Sequence, residues 1–333
     1  MTMTRSRAPA LPAPRGPISE GVLSALRGDP SEVPAVDGSA PYGDDLQLAL
    51  YCCYELHYRG FDGVDDDREW DPALLAVRAE LERVFLDALR HDVPAGTDID
   101  AELDALLVEN LDAFGISHYL RRRGELWQLR EYVAHRSLYH LKEADPQTFV
   151  IPRLDGPPKA ALVTVQHDEY GAGDPERTHS KLFADMMAEL GLSDVYGVYV
   201  DSAPSEMLAE VNFMSLCGLH RGLRAALIGQ FATVELTSSP GSDRLVKAMR
   251  RLDCGPAAIH FYAEHVEADA VHEQLIRREV ITPLLQTEPE LTADVVFGVR
   301  SSLFLAGRLE EYLFQRWRRG ESSFRHEAGV KIP

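Results

Sequence analysis

The chain has 333 residues, 45% of them hydrophobic, so it can bury a large core as one big domain or two modest ones. Against 53 Asp and Glu it carries only 34 Lys and Arg, a net charge of −19 that argues against nucleic acid or an anionic membrane as partner. The four Cys (52, 53, 217, 254) show no C-x-x-C spacing, so neither a disulfide framework nor a structural zinc site is indicated, which fits a reducing cytoplasm.

No apolar run reaches the ~18–20 residues needed to cross a bilayer. The opening M-T-M-T-R-S-R-A-P-A-L-P-A-P-R-G-P is Pro-rich, without the apolar core of a signal peptide, and residues 1–40 are expected to form a disordered tail. From about Asp44 the apolar residues repeat with a helical period. Helices are predicted over 45–59, over 72–91 behind an Asp71 cap with Pro72 at its first position, and over 99–110. They continue over 116–144, 157–170 and 175–191, broken at Asp145-Pro146 and at Gly171-Ala172-Gly173. Further helices are predicted over 203–219, 221–238, 241–253, 256–284 and 290–317. V-Y-G-V-Y-V at 195–200 alternates like a strand, but between helices it reads as a connection. The expected fold is all-α: a tail (1–40), an N-terminal helical extension (41–115) and a main bundle (116–325).

The stretch 264–273, E-H-V-E-A-D-A-V-H-E, sets His265, Asp269 and His272 at i, i+4 and i+7. On a helix these offsets are turns of about 400° and 700°, so all three project from one face within roughly 40°. Two imidazoles and a carboxylate on one face form half of a divalent-metal site; the bland alternative is a charged surface face. In D-E-Y-G-A-G-D-P-E-R-T-H (168–179), Glu169 lies at one helix end. Asp174 is expected to cap the next helix, and the glycines let the chain turn so that Glu169 and His179 share a side. Glu143 closes the helix before Asp145-Pro146, with Glu131 as its rival acid.

These motifs resemble those of the haem-oxygenase-like diiron oxidases and oxygenases. Glu143, E-Y-G-x-G followed by a His ten residues after Glu169, and H-x3-D-x2-H correspond to that family's three ligand helices. The resemblance covers roughly residues 115–320. It implies a seven-helix haem-oxygenase-like bundle that binds no haem but two Fe(II) ions, held by Glu143, Glu169, His179, His265, Asp269 and His272. It also implies O2 as co-substrate and an external electron donor. Related bundles frequently dimerise, so a homodimer is an open expectation. The resemblance favours oxygenation of an amino-acid or amine nitrogen in natural-product biosynthesis. Its alternative is C–H abstraction leading to desaturation, C–C cleavage or cyclisation of an amino or fatty acid. An iron-binding bundle without turnover is the reading from another class, weakened because the ligand helix lacks the E-x-x-H pair of ferritin-like proteins.

Other residues are open to either reading. Glu235, an acid in an apolar helical run, could hold a cationic group of an amino-acid-like substrate, or make a structural hydrogen bond. Arg130, Arg136 and Arg177 could clamp a substrate carboxylate by a bidentate fork. Asp168, Glu264, Glu267 and Glu273 could orient ligand imidazoles or face solvent. Glu55 and His57 are expected to make a buried polar contact between extension and bundle.

Overall fold

A computed structural model describes residues 8–29, 34–108 and 115–325, and among them there are helices and no strand. In chain order the helices are α1 (Pro17–Arg27), α2 (Asp44–Glu55), α3 (Pro72–Asp92), α4 (Ile99–Leu107), α5 (Ile116–Arg122) and α6 (Leu126–His140). There follow the single turn α7 (Asp145–Thr148), α8 (Gly156–Glu169), α9 (His179–Glu189), α10 (Ser205–Leu219), α11 (Arg224–Arg251) and α12 (Pro256–Leu275). α12 runs through a π-helical turn, Ile276–Ile281, into α13 (Thr282–Thr287), and α14 (Thr292–Trp317) closes the bundle.

The disordered tail expected over 1–40 is corrected for its described part. Ile18, Val22, Leu23 and Leu26 are buried at helical spacing, Pro17 opens α1, and Gly28 ends it in the left-handed region (φ 84°). The start of α2 caps α1, because the Asp45 carboxylate accepts from the backbone N–H groups of Ile18 (3.0 Å) and Ser19 (2.7 Å). The Pro-rich approach hid a short amphipathic helix whose partner lies in the next helix. Residues 1–7 and 30–33 lie outside the described chain. So do 109 and 110, the end of the helix expected to run from 99.

Other differences have local causes. The helix expected over 116–144 is two, broken at Gly124, where a Cβ would come within 2.7 Å of the Leu120 Cα. Conversely, α11 passes straight through Pro240 although proline removes one helical hydrogen bond. As expected, Asp71 caps α3, accepting from the Ala73 N–H at 2.9 Å, and residues 195–200 form turns around Gly197 (φ 73°).

α11 is the axis of the bundle, packed against α12, α14 and α5, while α12 also packs on α9. Its crossing with α14 is closed by reciprocal glycines. A Cβ on Gly229 would lie 2.0 Å from the Val295 carbonyl oxygen, and one on Gly298 would lie 2.0 Å from that of Ala226. Either methyl would therefore push the helices apart against backbone, which cannot yield as a side chain can. Gly229→Ala and Gly298→Ala are each expected to cost about 3 kcal/mol, read as a lower denaturation midpoint at unchanged slope. The extension docks through α2 on α10, where the buried Asn212 amide donates to the Gln47 backbone and side-chain oxygens, both at 2.8 Å.

Candidate metal centre

Seven buried acidic and histidine side chains converge between α6, α8, α9, α11 and α12 in two adjoining groups. Glu143, His179 and His265 form one; Glu169, Glu235, Asp269 and His272 form the other. Within each group the candidate ligand atoms lie within 4.8 Å of one another. All six side chains singled out as ligands are thus brought together, with Glu235 added.

Glu169 links the groups. Its Oε2 is 2.8 Å from His179 Nδ1 in the first group, and its Oε1 is 3.7 Å from His272 Nδ1 in the second. The Gly171–Gly173 break permits this, with Gly171 (φ 72°), Ala172 (φ 52°) and Gly173 (φ 90°) all left-handed. A Cβ on Gly171 would also stand 2.7 Å from the backbone of Arg177 and Thr178. Asp174 caps only the short turn 175–177, accepting from the Glu176 N–H. His179 therefore sits at the start of α9 behind a Thr178 cap, rather than one turn in. Glu143 likewise lies beyond the helix expected to carry it, on the turn between α6 and α7.

Neighbouring groups fix the imidazoles. His265 Nδ1 donates to the Phe261 carbonyl at 2.7 Å, leaving Nε2 with a lone pair, 3.9 Å from Glu143 Oε2. That Nε2 and Asp269 Oδ2 are buried with no hydrogen-bond partner. Two unpartnered acceptors facing one acid and imidazole cluster fit a cation. His272 turns Nδ1 toward Glu235 (3.2 Å) and Asp269 (3.6 Å) and Nε2 outward to Asp168 Oδ2 (3.2 Å). Asp168 is thus the orienting carboxylate, whereas Glu264 pairs with Arg177 on the surface.

The electrostatics are those of a buried acid cluster whose charges oppose one another. Burial, with Glu143 nearby, pushes Glu169 up to about 8; burial, with Asp269 and Glu169 nearby, pushes Glu235 up to about 8 despite its hydrogen bond from His272. Burial disfavours charge on His272, yet its bonds to Asp269 and Glu235 outweigh that and raise it to about 11. Glu143 goes the other way: burial pushes it up, but His140, donating from Nδ1 at 2.8 Å, and the other imidazoles hold it at about 2.

The sign for stability follows. Glu169, Glu235 and His272 all titrate higher in the fold than in the unfolded chain, so between about pH 5 and 8 the fold binds more protons and loses stability as pH rises. Glu143 is ionised throughout that window. Metal-free protein should therefore melt lower at pH 8 than at pH 6. The gain in Tm on adding Mn(II) or Fe(II) should be larger at pH 8, where fewer protons must be displaced. At 100-fold excess over Kd the metal is worth about 2.7 kcal/mol, a shift of several degrees readable by scanning fluorimetry.

A cavity of about 330 Å³ opens beside the ligands, touched by Glu143, Glu169, Glu235, His265 and Asp269 on one side. Its wall also holds Arg136, which donates to Glu210 at 2.7 Å, and Tyr262, whose buried hydroxyl has no hydrogen-bond partner. Phe183 and Phe261 pack around His140 and keep that flank of Glu143 dry.

Several expectations are corrected here. Glu235 stands within reach of the second candidate ligand group and also lines the cavity, so both of its readings keep a place here. Arg177 does not line the cavity; it is exposed and pairs with Glu264 at 3.2 Å. Arg130 binds the Leu190 carbonyl. Glu131 is a structural acceptor for the Trp317 indole, Ser322 and Ser323. Glu55 does join extension to bundle, through Lys142, but His57 pairs with Glu69 inside the extension. Glu210 and His140 were overlooked. An acid in apolar M-L-A-E-V-N-F, and a His three residues before Glu143, were the available signals.

The family model described as "iron-containing redox enzyme" matches residues 130–307, which hold all seven cluster residues. A nitrosourea synthase of Streptomyces achromogenes subsp. streptozoticus is 24% identical over 233 residues, 67% of this chain and 49% of that protein. The matched segment is thus about half the length of that relative. No helix among the described residues is long and apolar enough to cross a membrane. With its all-α architecture and its buried carboxylate–histidine cluster, the chain belongs to the haem-oxygenase-like iron-containing redox enzyme family.

Proposed function

We propose that the protein is a non-haem diiron, O2-dependent oxygenase that oxidises a nitrogen of an amino acid or amine in natural-product biosynthesis. The observation that carries this is Glu169 facing both ligand groups at the edge of the cavity. Glu143, His179 and His265 would hold one iron, Glu235, Asp269 and His272 the other, with Glu169 shared. Carboxylate and imidazole donors suit iron, and no thiolate belongs to the set. When bound, the two ions supply O2 binding and two-electron chemistry; haem has no part in this reading.

The chain's own residues do the rest. Arg136 and Tyr262 offer donors on the cavity wall for a substrate carboxylate, and Glu210 holds the Arg136 guanidinium in place. The substrate nitrogen would then face Glu143 and Asp269. The relative's product, a nitrosourea, carries an oxidised nitrogen, which favours nitrogen over carbon as the site of attack. For a hydroxylamine product the balance is R–NH2 + O2 + 2 H+ + 2 e− giving R–NHOH + H2O, with both electrons from an external donor.

Anaerobic loading should give two irons per chain, and substrate-dependent consumption of 18O2 should place one label on nitrogen. Loss of two hydrogens without label would instead assign C–H abstraction. Oxygen uptake without organic product would leave a binding bundle and sink the oxygenase reading.

A further inference from the structure

We propose that the Glu55–Lys142 ion pair is a positioning device for the Glu143 metal ligand, making the N-terminal extension part of the metal centre; this rests on the two-metal reading above. Glu143 does not sit on a helix. α6 stops at His140, and residues 141–144 form an irregular turn before α7. A carboxylate on such a turn is placed only as well as the turn is held, and a ligand displaced by an ångström is lost to the metal.

The turn is held from outside the family-matched region. Lys142 Nζ donates to Glu55 Oε2 at 3.0 Å, both side chains essentially inaccessible to solvent. The same ammonium lies 4.0 Å from the centre of the Tyr58 ring and 5.4 Å from that of Tyr51. One residue earlier, Arg59 Nη2 donates to the Leu141 carbonyl at 2.9 Å. Both residues preceding Glu143 are thus anchored by α2 and the turn that follows it, whereas 130–307 covers only the recipient side. Burying two charges is costly, and an apolar pair would serve packing at least as well. What the ion pair adds is a fixed direction for the Lys142 side chain, and hence for the peptide leading into Glu143.

The test is Mn(II) binding to the full-length chain, followed by EPR and equilibrium dialysis. Wild type should take up two ions. Glu55→Gln/Lys142→Met, which keeps side-chain length and leaves no lone buried charge, should hold the Glu143–His179–His265 ion roughly 10- to 100-fold more weakly. The second ion should stay tight. Arg59→Met, cut from an exposed residue and therefore able to fold, should weaken the same ion roughly three- to tenfold. Leu81→Ala is the matched control. It hollows the core of α3, and should lower Tm while leaving both ions bound.

If both variants bind two ions with wild-type affinity, or if Leu81→Ala weakens them equally, the positioning role is overturned. A wild type that takes up fewer than two ions would overturn the two-metal reading itself, and the proposal with it.

Discussion

His265→Ala should remove one of two irons and reduce turnover at least a thousandfold while the protein stays folded. The expectation follows from how that imidazole is held. Its Nδ1 proton is committed to the Phe261 carbonyl at 2.7 Å, one helical turn back, so Nε2 is left as a pure acceptor. That nitrogen points at Glu143 and has no hydrogen-bond partner, and its ring lies tilted against that of His179 with centroids 4.3 Å apart. The unpartnered Nε2 contributes nothing to the metal-free fold, so the stability lost is that of a buried ring and its one bond to Phe261, which lowers Tm without unfolding the bundle. For the metal, by contrast, it would be one of few ligands. Losing even an outer partner of a ligand typically costs 10- to 100-fold in affinity, and losing the ligand costs more. Iron analysis per chain, beside a melting curve, reads both halves. Full iron content and wild-type turnover in this variant would end the diiron assignment.

The candidate ligands could be brought together from the sequence where a regular element carries them. His265, Asp269 and His272 lie on one uninterrupted helix, so spacing alone fixes their common face. Glu169 and His179 required a turn, and Gly171-Ala172-Gly173 announced one. The start of α9 was nevertheless misplaced, because Asp174-Pro175 is an equally good opening signal and here opens only a single 3-10 turn. Glu143 was legible by its position before Asp145-Pro146, but not its dependence on Glu55, 88 positions away in the chain. No periodicity reports a contact between distant helices.

Glu235 shows the opposite limit. An acid amid Q-F-A-T-V-E-L had to be buried and had to have a partner, but which partner depends on how α11 crosses α12. That crossing is decided by packing, as is the one between α11 and α14, where Gly229 meets the Val295 backbone and Gly298 that of Ala226, and a missing Cβ matters more than any side chain. Likewise α1 was invisible because its apolar stripe is only four residues long and its caps come from Asp45.

Glu235→Gln separates two roles that the sequence left open. Were Glu235 a substrate anchor, the amide would weaken substrate binding and leave both irons in place. As a member of the Glu169–Asp269–His272 group it should instead cost the second iron, with affinity down roughly a hundredfold. The first iron should remain, because neither its own three residues nor the shared Glu169 is touched. The metal-free protein should respond in the other direction. Burial raises the Glu235 carboxyl to about 8, so the native protein resists its ionisation and loses stability as pH rises from about 5 toward 8. Glutamine carries no proton to lose and keeps the side chain's shape. Metal-free Glu235→Gln should therefore melt higher than wild type at pH 8, and its Tm should change less between pH 6 and pH 8. Added metal should raise its Tm less than it does in wild type. A variant that binds metal worse while folding better is the expected signature of a side chain whose burial is tolerated for the ion it holds. Unchanged iron content with a raised KM would return Glu235 to the substrate side of the cavity.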